Sequence, residues 1–179
     1  MRLSGPQMFE NVTRGIMDQG ANVVNIGLVS TDQFYFACSK LGLPGMMVTA
    51  SHNPKEYNGF KMVRKMPYLL SGNEGIQDLR RIVEQDDYAK ADKHGSMRSI
   101  DLSGEFIEAV LGLIDVEALR PANLKVVADT GNGTVGPMTR AQRYQTGFPA
   151  CTTSPTPAST TTAVTCSGGR RAPRAISGS

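Results

Sequence analysis

Met8, Val12 and Ile16 recur every four residues. They predict a helix that opens at Ser4-Gly-Pro-Gln7, where serine and glutamine stand at capping-box spacing, and closes at Gly20. Residues 22–29 read as a buried strand. Ser30 and Gln33 form a second capping box, and Phe34, Ala37, Cys38 and Leu41 follow on one helical face up to a stop at Gly42. A short apolar strand at 46–48 runs into a polar turn, and a second strand at 60–63 comes out of it. Residues 71–75 are a loop leading to a helix with Ile76, Leu79, Ile82 and Val83 turned inward. The charged stretch 85–98 reads as exposed. Ser103 opens another helix with Phe106, Ile107, Val110 and Leu111 as its stripe, and Pro121 precedes a strand at 124–128. Stripes of this kind form core. Helices alternating with strands predict an α/β layered domain.

Composition narrows the function classes. The chain has 179 residues, one large domain or two small ones, and at 40% apolar it can bury a core. A net charge of +3 with no interleaved arginines and aromatics does not suggest nucleic acid. No window is long and apolar enough to span a membrane, and the N-terminus lacks the apolar core of a signal peptide. Cys38, Cys151 and Cys166 are few and widely spaced, suggesting neither a disulfide framework nor a zinc site. The cytoplasm is the default location.

The chemistry concentrates in one run, Gly45-Met-Met-Val-Thr-Ala-Ser-His-Asn-Pro-Lys-Glu-Tyr-Asn-Gly-Phe-Lys61. Ser51, His52, Asn53 and Lys61 bring a hydroxyl, an imidazole, an amide and an ammonium into one loop-and-strand unit. Read singly, each has an ordinary explanation. Ser, Asn, Pro and Gly cluster wherever a chain reverses. His52 could cap or face solvent, and Lys61 alternates with Phe60 and Met62 as on the solvated face of a sheet. Together they suit phosphoryl chemistry. A serine hydroxyl needs activation to act as a nucleophile. A phosphoserine carries about −1.5 to −2 charges and needs donors and cations close by. Turn amides, Asn53 and Lys61 can supply them.

Thr49-Ala-Ser-His-Asn-Pro54 followed by Asn58-Gly-Phe-Lys61 resembles the active-site serine loop of the phosphohexomutases, the phosphomannomutase/phosphoglucomutase family. Arg2-Leu-Ser4 resembles the segment that in this family follows an Arg–Asp pair. The resemblance covers about residues 1–138. It implies a three-layer α/β/α domain with a mixed sheet, truncated at both ends, and a disordered C-terminal tail. Residues 1–100 would be the first domain lacking its first strand, 101–138 a linker helix and the start of a second domain, and 139–179 a low-complexity tail. It further implies transfer of a phosphoryl group between C1 and C6 of a hexose phosphate, through a hexose 1,6-bisphosphate. Ser51 would carry the phosphoryl group and bind Mg²⁺ through its phosphate, His52 and Asn53 would line the loop, and Lys61 would stabilise charge or assist proton transfer. The remaining Mg²⁺ ligands, a loop with three aspartates, are not in this sequence, and neither are the sugar-recognition loop and the phosphate clamp. The expected partners are sugar phosphates, with no nucleic acid and no membrane, and the oligomeric state is left open.

Two further stretches bear on function. Gly131, Gly133 and Gly136 after a strand outline a dinucleotide-binding turn, but no acidic residue occurs after Asp129 to hold a ribose. The same turn occurs in the phosphohexomutases, and we read it as structural. From Thr139 the chain has no carboxylate and no lysine and is rich in Ser, Thr and Pro, which predicts a disordered tail. It also fits a shifted reading frame. Two other functions stay open. One is a serine hydrolase, which would need a distant histidine such as His94 and lacks Gly-x-Ser-x-Gly. The other is a non-catalytic fragment or binding piece.

Overall fold

The structure, a computed structural model, describes residues 3–50, 53–54, 56–72, 74–88, 91–122, 126–128, 150–152 and 162–167. The elements run α1 (Gly5–Asp18), β1 (Asn22–Leu28), α2 (Thr31–Leu41), β2 (Gly45–Val48), β3 (Phe60–Lys65), β4 (Tyr68–Leu69), α3 (Ile76–Gln85), β5 (Met97–Ser99), α4 (Ser103–Leu111), α5 (Val116–Leu119), β6 (Val126–Ala128), β7 (Ala150–Thr152) and β8 (Thr162–Ser167). A mixed six-stranded sheet has the order β4-β3-β2-β8-β1-β5, and β6 and β7 form a separate parallel pair. Only β1 and β5 pair in parallel within the large sheet, and every other neighbour is antiparallel.

The sheet is covered on both faces. Val23 and Val24 are consecutive and both buried, and so are Met47 and Val48. Because successive side chains of a strand point to opposite faces, each pair requires a layer on either side. Helices α1 and α2 both pack against β2 and β8. The main core joins Val24, Ile26, Val29, Met47 and Val63 of the sheet region to Phe34, Ala37 and Cys38 of α2 and to Leu102. This is the α/β layered fold that the pattern of elements predicts, with the mixed sheet that the family resemblance implies.

Helix α2 follows its sequence closely. Ser30 Oγ accepts the Gln33 N–H at 3.2 Å, and Gly42 closes the helix at φ 63°. The Leu43 N–H returns to the Cys38 carbonyl, the long bond of a left-handed helix cap. Phe34, Ala37 and Cys38 are buried, as their spacing predicts. Helix α4 lies on α2: Phe36 and Phe106 meet edge-on at 5.4 Å, and Ile107 is buried. Lys40 pairs with Glu105 across the same contact. The helix expected to open a linker thus packs on α2.

Three expectations change. Ser4 stands at the N-cap of α1 but makes no side-chain capping bond; its oxygen is engaged elsewhere. Helix α3 forms with its predicted apolar stripe, yet none of its residues is buried, and Leu79, Ile82 and Val83 are exposed. The stripe has helical period, but among the described elements no layer covers it. Within 139–179, the stretch expected to be a tail, Ala150–Thr152 and Thr162–Ser167 are strands, and the other residues lie outside the described ones. Thr, Val and Thr at 162, 164 and 165 suit extended backbone, and β8 finds hydrogen-bonding partners on both sides. Met97–Ser99, inside the stretch read only as exposed and charged, is also a strand beside β1.

Candidate functional site

The loop between β2 and β3 is pinned at its neck. Register pairs run from Gly45 with Val63 to Val48 with Phe60. The Thr49 N–H then donates to the Gly59 carbonyl at 2.8 Å. A Cβ at Gly59 would lie 3.3 Å from the Thr49 carbonyl oxygen, so a small residue suits this crossing. Within the loop the Asn53 N–H donates to the Ala50 carbonyl and the Tyr57 N–H to the Pro54 carbonyl, each at 3.0 Å. Ala50 is buried and anchors the entry, while Asn53 stands exposed in the turn. Ser51, His52 and Lys55 lie outside the described residues.

The exit of the loop is fastened to α1. Asn58 Nδ2 donates to Ser4 Oγ at 3.1 Å, and Asn58 Oδ1 accepts the Gly59 N–H at 3.2 Å. This is where the oxygen expected to cap α1 is used. Asn58 was visible only as part of the run ending in Lys61. Its partner lies 54 positions earlier, beyond any local pattern.

The loop sits at a chemically suitable edge. Strands β1 and β2 are both antiparallel to β8, so they are parallel to each other and their C-terminal ends share one side of the sheet. From that side α2 begins just after β1, and the Thr31 hydroxyl reaches Met47 Sδ at 3.9 Å. The first turns of α1 and α2 therefore flank the loop. Helix N-termini carry partial positive charge and unpaired amides, and both favour an anion. In an α/β sheet the carboxyl ends of the strands are where ligands collect.

Lys61 is the second residue of β3, directly opposite the fully buried Met47 and two positions before the buried Val63. It is half-buried, and among the described residues no carboxylate pairs with it. The structure thus places Lys61 and Asn53 on one loop-and-strand unit, at the base and in the turn.

His94 is elsewhere. Its Nε2 lies 2.9 Å from Asp18 and its Nδ1 2.7 Å from the Gly95 carbonyl. Asp18 ends α1, whose other end is tied to the loop. Fourteen helical residues span about 21 Å, so His94 cannot serve the loop as a base. The Asp129–Gly136 turn lies outside the described residues. Among the described residues no group of three or more His, Cys, Asp or Glu could hold a metal ion, and no helix is long and apolar enough to cross a membrane. An open groove of about 640 Å³ lies between the β3–β4 hairpin and α3, lined by Arg64, Lys65, Tyr68, Leu70, Glu74 and Asp78 among others. Arg64 is four residues along β3 from the loop, about 13 Å, so the groove is separate from it.

Comparison with known proteins points the same way. Residues 1–90 match the family described as "Phosphoglucomutase/phosphomannomutase, alpha/beta/alpha domain I". A phosphoglucomutase of Neisseria meningitidis serogroup B is 44% identical over 136 residues, covering 75% of this chain and 28% of that one. A phosphomannomutase of Escherichia coli K12 is 38% identical over 144 residues, covering 79% and 31%. The crystal structure of a phosphoglucomutase/phosphomannomutase family protein from Burkholderia thailandensis superposes with a TM-score of 0.70 at 31% identity, covering 84% of this chain and 33% of that one. The chain spans less than a third of the length of these curated relatives.

Proposed function

The chain belongs to the phosphoglucomutase/phosphomannomutase family, and from that premise we propose that its residues serve a phosphohexomutase through a phosphoserine at Ser51. The supporting observation is the loop of 49–59. It is pinned at its neck by Thr49 and Gly59, fastened to α1 through Asn58 and Ser4, and flanked by two helix starts. A framed loop suits phosphoryl transfer, which depends above all on positioning and on stabilising charge.

In the proposed reaction a hydroxyl oxygen of the hexose phosphate, at C1 or C6, attacks the phosphorus of phospho-Ser51. The bond from phosphorus to Ser51 Oγ breaks as the attacking hydroxyl gives up its proton and Oγ takes one up, and a hexose 1,6-bisphosphate results. The bisphosphate turns round, Ser51 Oγ loses its proton and attacks the other phosphorus, and the bond from that phosphorus to the sugar oxygen breaks as the oxygen takes up a proton. Lys61 stabilises the charge that gathers on the transferring group, and His52 and Asn53 line the loop. The family resemblance implies Mg²⁺, which would neutralise phosphate charge with Ser51's phosphate as one ligand. The described residues supply no carboxylate cage for it. The substrate is glucose or mannose phosphate, after the relatives' names, and the compartment is the cytoplasm.

The test is direct. A full-length enzyme carrying residues 1–138 of this chain is incubated with hexose 1,6-bisphosphate, and the phosphate is mapped by mass spectrometry. Label on Ser51 that vanishes in Ser51→Ala is expected. Label on another serine overturns the assignment.

A second reading applies to the 179-residue polypeptide by itself: a non-catalytic fragment. Turnover by this polypeptide with Mg²⁺ and bisphosphate should not exceed that of its Ser51→Ala variant. Activity well above that control would refute the reading.

A further inference from the structure

The uncovered apolar stripe of α3 runs into the groove beside the β3–β4 hairpin. Gly75 lines the groove, and Leu79 and Val83 follow it at spacings of four on the same helical face. Leu79, Ile82 and Val83 are all exposed. The charges beside the stripe are settled within the helix, Arg80 with Glu84 at 2.7 Å and Arg81 with Asp78 at 3.0 Å. The groove is different. The register of β3 with β4 shifts between Val63 and Lys65, and the consecutive Arg64 and Lys65 both line the groove, where a regular strand would send them to opposite faces. Glu74 lines it too. Its backbone is held by a reciprocal pair of hydrogen bonds with Ser71, at 3.1 and 3.3 Å. Among the described residues neither Arg64, Lys65 nor Glu74 has an ion-pair partner. One groove thus holds unpaired charges of both signs beside an unpartnered apolar stripe. We propose that this face is the interface of a symmetric dimer, with a second copy of the chain as its occupant.

Charge selects this occupant. A nucleic acid, an anionic membrane or an acidic peptide would satisfy Arg64 and Lys65 and press like charge on Glu74. A basic peptide would do the reverse. A second copy satisfies both. A two-fold contact uses one patch twice, so the basic wall of each copy lies on the acidic wall of the other. The stripe then meets its own counterpart beside the axis, and the exposed Tyr68 and Leu69 of the hairpin extend the apolar area. An apolar centre with a charged rim is the usual layout of such a surface. The groove lies at the end of β3 away from the candidate loop, so a dimer formed there leaves both loops open. The inference is independent of phosphoryl transfer.

The test is sedimentation of the full chain over a range of concentrations. The wild type should show a reversible monomer–dimer equilibrium. Lys65→Glu and Glu74→Lys should each raise its dissociation constant by about tenfold or more, because each sets like charges face to face in both halves of the interface. Mixed in equal amounts, the two variants should associate within about threefold of the wild type, since the new acid of one then faces the new base of the other. Val83→Asp places a charge in the apolar centre and should weaken the dimer by about tenfold or more. Lys65, Glu74 and Val83 are all exposed, so the circular dichroism of each variant should match the wild type. A chain that stays monomeric at every concentration gives the face to a different partner or to further residues of a longer chain, and overturns the proposal. Association that the three substitutions leave unchanged, or a mixture no tighter than either charge variant alone, overturns it as well.

Discussion

Asn58 Nδ2 donates to Ser4 Oγ at 3.1 Å, joining the exit of the candidate loop to the first turn of α1. Both residues are on the surface side, so the bond's net worth is modest, about 0.5–1 kcal/mol. Its effect on the loop should exceed its effect on the fold. Ser4→Ala is expected to leave the unfolding midpoint nearly unchanged while speeding amide exchange at Thr49 and Gly59. Combined with Asn58→Ala in a double-mutant cycle, it should show a coupling of about 0.5 kcal/mol or more. Strict additivity would mean that the two side chains do not meet in solution.

Gly45 opens β2 against Phe34 and Cys38 of α2. A Cβ built there would meet the sulfur of Cys38 and stand 2.7 Å from Cε2 of Phe34. Phe34 and Cys38 are both buried, so neither can swing away into solvent. Gly45→Ala should therefore destabilise the protein by about 1–3 kcal/mol through overpacking. Urea unfolding at constant m-value is the measurement. Gly104, which has open space around it, is the control, since Gly104→Ala should not destabilise.

A hydrogen-bond relay runs from α2 to the start of α4. The buried Gln33 donates Nε2 to Ser103 Oγ at 3.0 Å, and the Ser103 N–H donates to Asp101 at 2.9 Å. The bond from the Ser103 side chain, then that from its backbone, holds the Asp101 carboxyl below its ordinary value, with desolvation opposing weakly. A depressed folded pKa means that the carboxylate's stabilisation is present above the unfolded pKa, about 3.9. It is lost as pH falls from there through the folded value. Ser103→Ala should raise the Asp101 pKa toward normal in an NMR titration and flatten the acid limb of the stability curve. At neutral pH it should also cost about 1–3 kcal/mol, because the Gln33 amide loses its partner in the interior. An Asp101 titration unmoved by the substitution would break the relay.

These relationships mark where sequence reading ends. Helix α2 was legible whole, because a capping serine, a stripe of spacing three and four and a closing glycine are all local signals. The same reasoning misread Ser4. Its spacing to Gln7 fits a cap, but its oxygen is taken by Asn58, and competition from a distant residue leaves no local trace. The stripe of α3 shows that period determines which face is apolar, while burial needs a facing layer from elsewhere in the chain. Thr162–Ser167 shows the converse, since a stretch of polar and small residues pairs as a strand between β1 and β2. Of the candidate site, the strand-loop-strand frame, Asn53 and Lys61 are placed by the structure, while Ser51 and His52 lie outside the described residues. The tie from Asn58 to Ser4 required the fold.

Lys61 is the residue whose proposed role the fold leaves most exposed to test. Its strand neighbours hold it from below: Met47 stands opposite and is fully buried, and Val63, on the same side of β3, is buried too. A lysine stem can lie along such apolar surface while its ammonium reaches toward water or an anion. Among the described residues no carboxylate pairs with that ammonium, and under the proposed role its charge would serve a phosphoryl group at the loop. A cation aimed at a transferring group acts on the transition state more than on the bound substrate. In a full-length enzyme carrying this segment, Lys61→Ala should therefore lower kcat by about 10²–10³ with a much smaller change in KM. The thermal midpoint should move little, because the substitution leaves Met47 and Val63 in place. Steady-state kinetics on both proteins give the answer. A raised KM at unchanged kcat would assign Lys61 to holding the substrate, and unchanged kinetics would return it to the solvated face of the sheet.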